Sequence, residues 1–327
     1  MKIVKDFFEY QILDMSEGMK LENWNGKELL RPDPQIIWNK KMKPEYWDKV
    51  DAIYHRNNKG GGNWEIKNKK LPESWQIHYN NLTFNVKLMG FKHTGLFPEQ
   101  AYNWNYIINK IQKAQRKVKV LNLFAYTGAA SVAALSAGAE VVHVDSSRGM
   151  VDWAKENVAA SGLEDKPIRF IVDDVIKFVK REIRRGNKYD IIIMDPPSFG
   201  RGANGEIWDI EKDLYPLVEL CTEILSEKPL LFLINSYTTG LSMTVLENVL
   251  NLTVAKKYSG FITSDEIGLP MNESDLILPC GIFARWENNK EEQWWKKQWK
   301  KLKLLTMLYI KQCLLTKILT NILNKSF

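Results

Sequence analysis

Between residues 118 and 235, five short and almost wholly apolar runs alternate with stretches of helical spacing, and few folds accept that rhythm. The runs are 118–124 (VKVLNLF), 140–145 (EVVHVD), 168–172 (IRFIV), 189–194 (YDIIIM) and 229–235 (PLLFLIN), with helical patterns at 129–137, 148–161, 175–185 and 209–227. Strands this apolar must be covered on both faces, which a parallel sheet between two layers of helices achieves. Two later runs, near 255–266 and 276–286, are joined by the short segment 268–274 and read as an antiparallel edge pair. The expectation is an α/β fold.

In open α/β sheets, ligands sit beyond the carboxyl ends of the strands, where strand order reverses. The first run ends in NLFAYTGAAS, 122–131, in which Gly128 admits close approach of a ligand and Ala129, Ala130 and Ser131 keep the following helical turn uncrowded. One glycine makes a poor dinucleotide fingerprint. The second run ends in Asp145, seventeen residues after Gly128, where an acid can accept hydrogen bonds from both ribose hydroxyls. The third ends in VDDV, so Asp173 or Asp174 is placed to accept from an adenine amine. The fourth ends in Asp195-Pro196-Pro197-Ser198-Phe199. A single acid at a strand end is ordinarily a turn or helix cap. Its recurrence at successive strand ends points to a site instead.

Other chemistry is missing. There is no Gly-x-x-x-x-Gly-Lys loop, and His55, His78, His93 and His143 have neither metal nor triad spacing, so no metal site is expected. Adenosine recognition without a phosphate cradle fits S-adenosylmethionine (SAM), whose sulfonium methyl is already activated and has only to be aligned with an acceptor.

The motifs HTGLFPEQ, NLFAYTG, VDSS, VDDV and DPPSF resemble those of class I SAM-dependent methyltransferases, and more narrowly the branch that contains bacterial 23S rRNA methyltransferases. That resemblance implies a Rossmann-like, mostly parallel seven-stranded sheet with an antiparallel edge strand, preceded by a small N-terminal β-rich domain. It further implies that Phe124, Ala125, Tyr126, Thr127 and Gly128 line the methionine portion of SAM. Asp145, with Ser146 after it, would hold the ribose; Asp173, Asp174 and Val175 would flank the adenine. Thr94, Gly95, Phe97 and Gln100 would close over the cofactor. Asp195, Pro196, Pro197 and Phe199 would form the acceptor pocket, with proline carbonyls facing the acceptor and Phe199 stacked on a base. Read on its own, HTGLFPEQ is equally a tight turn before a helix, with Glu99 on the helix dipole.

One departure from the pattern bears on mechanism. Methylation at C5 of a pyrimidine needs a nucleophile at C6, and relatives that do this carry a cysteine in the loop after the fifth strand. Here that loop is NSYTTGLS, 235–242, without cysteine; Cys221 lies in a helical pattern and Cys280 in LPCGIFARW. The expectation is transfer to a nucleobase nitrogen of RNA, with 23S rRNA the substrate the resemblance implies, and no covalent cysteine intermediate. A protein or small-molecule acceptor and a catalytically inactive RNA-binding relative are the alternatives.

The remaining chain divides by texture. Residues 1–88 hold five of the twelve tryptophans among short alternating runs, with Asn80-Asn81 placed to turn a hairpin, and read as a small β-rich domain whose aromatics fill its core. Residues 89–286 form the methyltransferase domain. Residues 287–327 form a lysine- and leucine-rich tail, read either as a basic amphipathic helix or as an appendage without function, a run-on or frame-shifted end included. Of the net charge of +7, the tail carries nine lysines and three glutamates, or +6. The body is therefore near neutral, and RNA binding would have to rest on local patches such as Arg201, His55, Arg56 and Lys59. The charged start MKIVKDFFEY is unlike a signal peptide, no apolar run reaches the ~18 residues of a membrane span, and three scattered cysteines fit a reducing cytoplasm. Oligomeric state is not legible.

Overall fold

A computed structural model describes residues 1–57, 61–202 and 205–288. The tail readings and Lys59 lie outside the described residues. In chain order the strands are β1 (Lys2–Ile3), β2 (Tyr10–Ser16), β3 (Met19–Trp24), β4 (Glu28–Pro32), β5 (Ala52–Arg56), β6 (Gly62–Ile66), β7 (Ser74–Tyr79) and β8 (Leu82–Lys87). After helix α1 (Ala101–Lys113) come β9 (Lys119–Leu123), α2 (Ala129–Ser136), β10 (Glu140–Asp145), α3 (Arg148–Ala160), β11 (Ile168–Val172), α4 (Val175–Arg185) and β12 (Ile191–Met194). Then follow β13 (Phe199–Arg201), β14 (Ile207–Asp209), α5 (Ile210–Cys221), β15 (Leu231–Ser236), α6 (Met243–Leu252), α7 (Val254–Lys257), β16 (Phe261–Pro270) and β17 (Ile277–Glu287).

The large sheet runs β1-β16-β17-β15-β12-β9-β10-β11. From β15 to β11 all neighbours are parallel. To the seven strands expected, the structure adds an eighth, because Lys2 and Ile3 pair in parallel with Ile267 and Gly268. The antiparallel strand is β17, which lies inside the sheet between β15 and β16 instead of at its edge. Residues 254–257, expected to open a strand, form α7, and α6 ahead of it went unread in the sequence.

The N-terminal region contributes a five-stranded sheet, β2 to β6, and the β7-β8 hairpin, which turns at Asn80 with φ of 52°. Of its aromatics, Trp47 packs in a small cluster of its own region with Leu21, Leu30 and Val50, while most of the others join the core of the large domain. Trp24, Trp75, Tyr79 and Phe84 pack in one continuous cluster with Trp104 of α1 and Phe283 of β17. A backbone bond from Asn272 to Ile12 (2.7 Å) stitches the two sheets together. The N-terminal sheet is thereby held against the strand ends of the large one.

Candidate active site

Strand β9 pairs with β10 on one side and β12 on the other, so the chain leaves it toward opposite flanks and opens a crevice at its carboxyl end. The turn after β9 is strained. Phe124 (φ 53°) and Tyr126 (φ 50°) take left-handed conformations, which cost of order 1–3 kcal/mol each and persist only where the surroundings enforce them. Three bonds do so: Ala125 N donates to Val144 O (3.0 Å), Tyr126 N to the Asp145 carboxylate (2.9 Å), and Thr127 Oγ1 to Gly95 O (2.5 Å). Gly128 (φ 85°) has no room for a side chain, since a Cβ would stand 2.8 Å from that of Ala154. Gly95 (φ 94°) is likewise closed off by the Trp153 ring.

The resulting cavity is lined by this turn, by Gly95–Phe97 and Gln100, by Asp195 just after β12, and by Asn235 near the end of β15. Of the residues singled out in the sequence, Phe124, Ala125, Tyr126, Thr127, Gly128, Gln100 and Asp195 thus come together. Thr94 is buried behind the wall, its hydroxyl without a partner among the described residues.

The acids on the adjoining strands are engaged in local structure. Asp145 accepts from Tyr126 N and Ser147 N (2.8 Å), and burial raises its carboxyl above the ordinary range. Ser146 beside it is exposed. Asp174 caps α4 by accepting from Lys177 N (2.8 Å). Asp173 pairs with Arg181 and accepts from Asp174 N, while the Val175 side chain is core. None of these five lines the cavity.

On the β12 side, DPPSF does not act as one pocket. Asp195 faces the cavity, Pro196 is buried, and the Pro197 carbonyl accepts from Trp208 Nε1 (2.7 Å) instead of facing an acceptor. Phe199 opens the β13-β14 hairpin opposite Asp209 and is 56 % exposed. The cause lies downstream: Trp208 tucks under the prolines against Phe124 (ring centroids 4.7 Å) and draws residues 199–201 outward as a strand. Asp195 takes no hydrogen bond or ion pair from any described residue. Burial and the neighbouring charge of Glu99 push its carboxyl up to about 7.

Around Gln100 and Phe97, sequence reasoning missed Asn103, Asn235 and Tyr237. Gln100 Nε2 donates to the Tyr237 hydroxyl (2.8 Å), and Asn103 Nδ2 bridges Gln100 Oε1 and Asn235 Oδ1 (2.9 Å each). Phe97 packs between Tyr237 (5.2 Å) and Tyr126 (5.7 Å). The one signal for Tyr237 was its place in NSYTTGLS, the loop inspected for a cysteine. Cys280 is no substitute: its thiol donates to Leu278 O, and burial together with Glu99 raises it well above the thiol range. Cys221 is fully buried in the core. Among the described residues, no group of His, Cys, Asp or Glu could hold a metal ion, and no helix is long and apolar enough to cross a membrane.

Residues 45–254 match the model of the S-adenosylmethionine-dependent methyltransferase family. The chain belongs to that family. The methyltransferase is 36% identical to a SAM-dependent methyltransferase from Agrobacterium tumefaciens, whose crystal structure superposes with a TM-score of 0.83 over 88% of this chain and 93% of that one. It is 29% identical over 252 residues to the ribosomal RNA large subunit methyltransferase K/L of Colwellia psychrerythraea, covering 76% of this chain and 32% of the relative. Against the ribosomal RNA large subunit methyltransferase K of Neisseria meningitidis it is 29% identical, covering 58% and 52%. The chain spans about a third of the K/L relative and about half of the K relative. A putative methyltransferase complexed with S-adenosylhomocysteine, SMU.776, shares the fold at a TM-score of 0.66 and 23% identity.

The residues present suit the family's cofactor. A glycine cradle that any Cβ would fill stands beside a strand-end acid, Asp145, each of whose oxygens keeps a lone pair after its single bond to a backbone N–H.

Proposed function

We propose that this chain transfers the methyl group of SAM to a nucleobase nitrogen of RNA, that the RNA is ribosomal, and that no cysteine adduct forms. The observation that carries the reading is Asp195: a carboxyl lining the same cavity as the glycine turn, unpartnered among the described residues, which burial and Glu99 push up to about 7. Phe124–Gly128 would cradle the methionine portion, Asp145 with Ser146 the ribose, and the Asp173–Val175 segment the adenine, with Thr94 and Gln100 supporting the wall above. The cofactor supplies an electrophilic methyl whose leaving group is a neutral thioether. Asp195 then has to orient the acceptor and take its N–H proton, a contribution of about 10²–10⁴-fold. Pro196 and Pro197 serve by fixing the backbone that presents it.

The names of the K and K/L relatives support ribosomal RNA as substrate. Burial, with the charges of Arg31, Lys92 and Lys20, holds the nearby His93 imidazole down at about 4, but Arg31 and Lys20 are paired with Glu22 and Asp33 and are not free for phosphate. Arg56 ends β5 and Arg201 ends β13, and both are exposed. Residues 1–88 would on this reading be the RNA-contacting unit and 89–286 the catalytic one, in the cytoplasm. Mass spectrometry of rRNA nucleosides from cells with and without the gene tests the proposal. Loss of one methylated nucleoside, restored by the wild-type gene, is expected; an unchanged rRNA profile with transfer to another acceptor would refute it.

A further inference from the structure

Asn235 is a buried amide that the scheme above does not use. It lies near the carboxyl end of β15, is 4 % exposed, and lines the same cavity as Asp195. The two are neighbours by register. Strands β12 and β15 run parallel with Met194 beside Ile234, so Asp195 and Asn235 are the next positions along each chain, and adjacent strands stand roughly 4.8 Å apart. Side chains alternate along a strand, which puts both residues on the face of Ile193 and Leu233, where α1 packs, and not on the face of Met194 and Ile234.

The direction of the Asn235 amide is set from α1. Asn103, itself buried, donates through Nδ2 to Gln100 Oε1 and to Asn235 Oδ1 (2.9 Å each), and Gln100 Nε2 donates in turn to the Tyr237 hydroxyl (2.8 Å). With its oxygen held in this way, Asn235 has its Nδ2 left, which donates to no described residue and is not sealed inside the protein. Reversing the three amides would leave the buried N–H bonds of Asn103 unmet, where the present arrangement leaves only its Oδ1 without a partner among the described residues. An unmet buried donor is the rarer case. The cavity therefore presents a carboxyl and an amide N–H donor from adjacent strand ends.

We propose that Asn235 is a specificity-determining residue for the acceptor: its Nδ2 donates to the carbonyl oxygen or ring nitrogen next to the nitrogen that Asp195 faces, so that the pair reads the edge of a planar nucleobase. This rests on reading Asp195 as the group that faces the acceptor. Nucleobase edges carry such an acceptor atom beside the nitrogen. An alkyl amine, such as that of a lysine side chain, carries none and would leave the Asn235 donor unmet, which is how a site built to hydrogen-bond one partner rejects another.

The test compares Asn235→Asp with Asn235→Leu in the full chain, with rRNA from cells lacking the gene as substrate and calorimetry of SAM binding alongside. Aspartate keeps the oxygen that Asn103 holds but turns an acceptor toward the cavity; leucine keeps the bulk and brings no charge. Asn235→Leu should lower kcat/KM for rRNA by about 10–100-fold, and Asn235→Asp should lower it further, with the Kd for SAM within about two-fold of wild type in both. The order of the two carries the result, because a side chain needed only to hold Asn103 would tolerate aspartate better than leucine. Asn235→Asp at the wild-type rate, the reverse order, or a Kd for SAM that rises in step with the lost transfer overturns the proposal. Should these variants not fold, the wild-type product decides: a methyl on a base nitrogen sustains the proposal, and one on a ribose hydroxyl overturns it. If the wild type leaves rRNA unmethylated, the functional reading fails and takes the inference with it; an active wild type with an indifferent Asn235→Asp sinks the inference alone.

Discussion

Glu22 on β3 and Asp195 after β12 are both withdrawn from water, yet one carboxyl comes down to about 2 and the other goes up to about 7. For Glu22, burial alone would raise the value; Arg31 and Lys20 outweigh it, with hydrogen bonds from Arg31 Nε (2.5 Å) and Tyr10 (2.7 Å). Among the described residues Asp195 has no such donors, and the charged neighbour acting on it is another acid, Glu99. The same physical cost is compensated in the region that holds the N-terminal sheet together and left uncompensated at the cavity. An acid left in that state has a proton affinity suited to exchange near neutral pH, which an ion-paired acid lacks. On the proposed function, the contrast is one between a structural charge and a chemical one.

The contrast breaks most visibly at Asp195. Asp195→Ala should lower methyl transfer by about 10²–10⁴-fold while SAM affinity, measured by calorimetry, stays within a few-fold of wild type. If SAM binding collapses equally, Asp195 is a cofactor or fold residue.

The opposite outcome is expected at the other pole. Arg31→Met leaves Glu22 buried without its main partner and should cost about 3–5 kcal/mol in denaturant unfolding. Adding Glu22→Gln should recover part of that loss, because the stranded charge is gone. The pH dependence carries the same sign: Glu22, depressed in the folded state, contributes stability above its unfolded value near 4.5 that disappears as pH falls toward 2. Loss of the Arg31 effect below about pH 3 would be its signature.

How much of this was legible depends on distance along the chain. The strands, the glycine turn and the strand-end acids are local patterns, and the turn after β9 meets the end of β10 where Tyr126 N donates to the Asp145 carboxylate. Gln100 and Tyr237 are 137 residues apart, and neither carries a local mark of its partner. The β1 pairing, from Lys2 to Ile267, is hidden for the same reason. Phe199 fails differently: the motif is local, but Trp208 decides where it points.

Asp195 also has a stability consequence of smaller size. Its folded value lies above that of an unfolded aspartate near 4, so the folded chain binds the extra proton between about pH 4 and 7, and stability falls as pH rises through that window. Asp195→Asn should therefore abolish the transfer yet raise the thermal midpoint. The gain, of order 1–3 kcal/mol, should be absent at pH 4 and complete above pH 7. A variant that is less stable at pH 8 would mean that the carboxylate has a compensating partner after all.

The smallest effect is expected at Cys280, and its smallness is informative. The thiol lies on β17 near Glu99 and Tyr237, close enough to the cavity for a covalent role to be conceivable, yet burial and the Glu99 charge both oppose the thiolate that such a role requires. Cys280→Ala should leave methyl transfer within about two-fold of wild type, a change consistent with lost packing alone. A 5-fluoropyrimidine RNA should form no stable adduct with the wild-type protein. Trapping of such an adduct, or inactivity of Cys280→Ala with SAM binding intact, would show that the cavity activates a thiol despite its acids, and would move the acceptor from a nitrogen to a pyrimidine carbon.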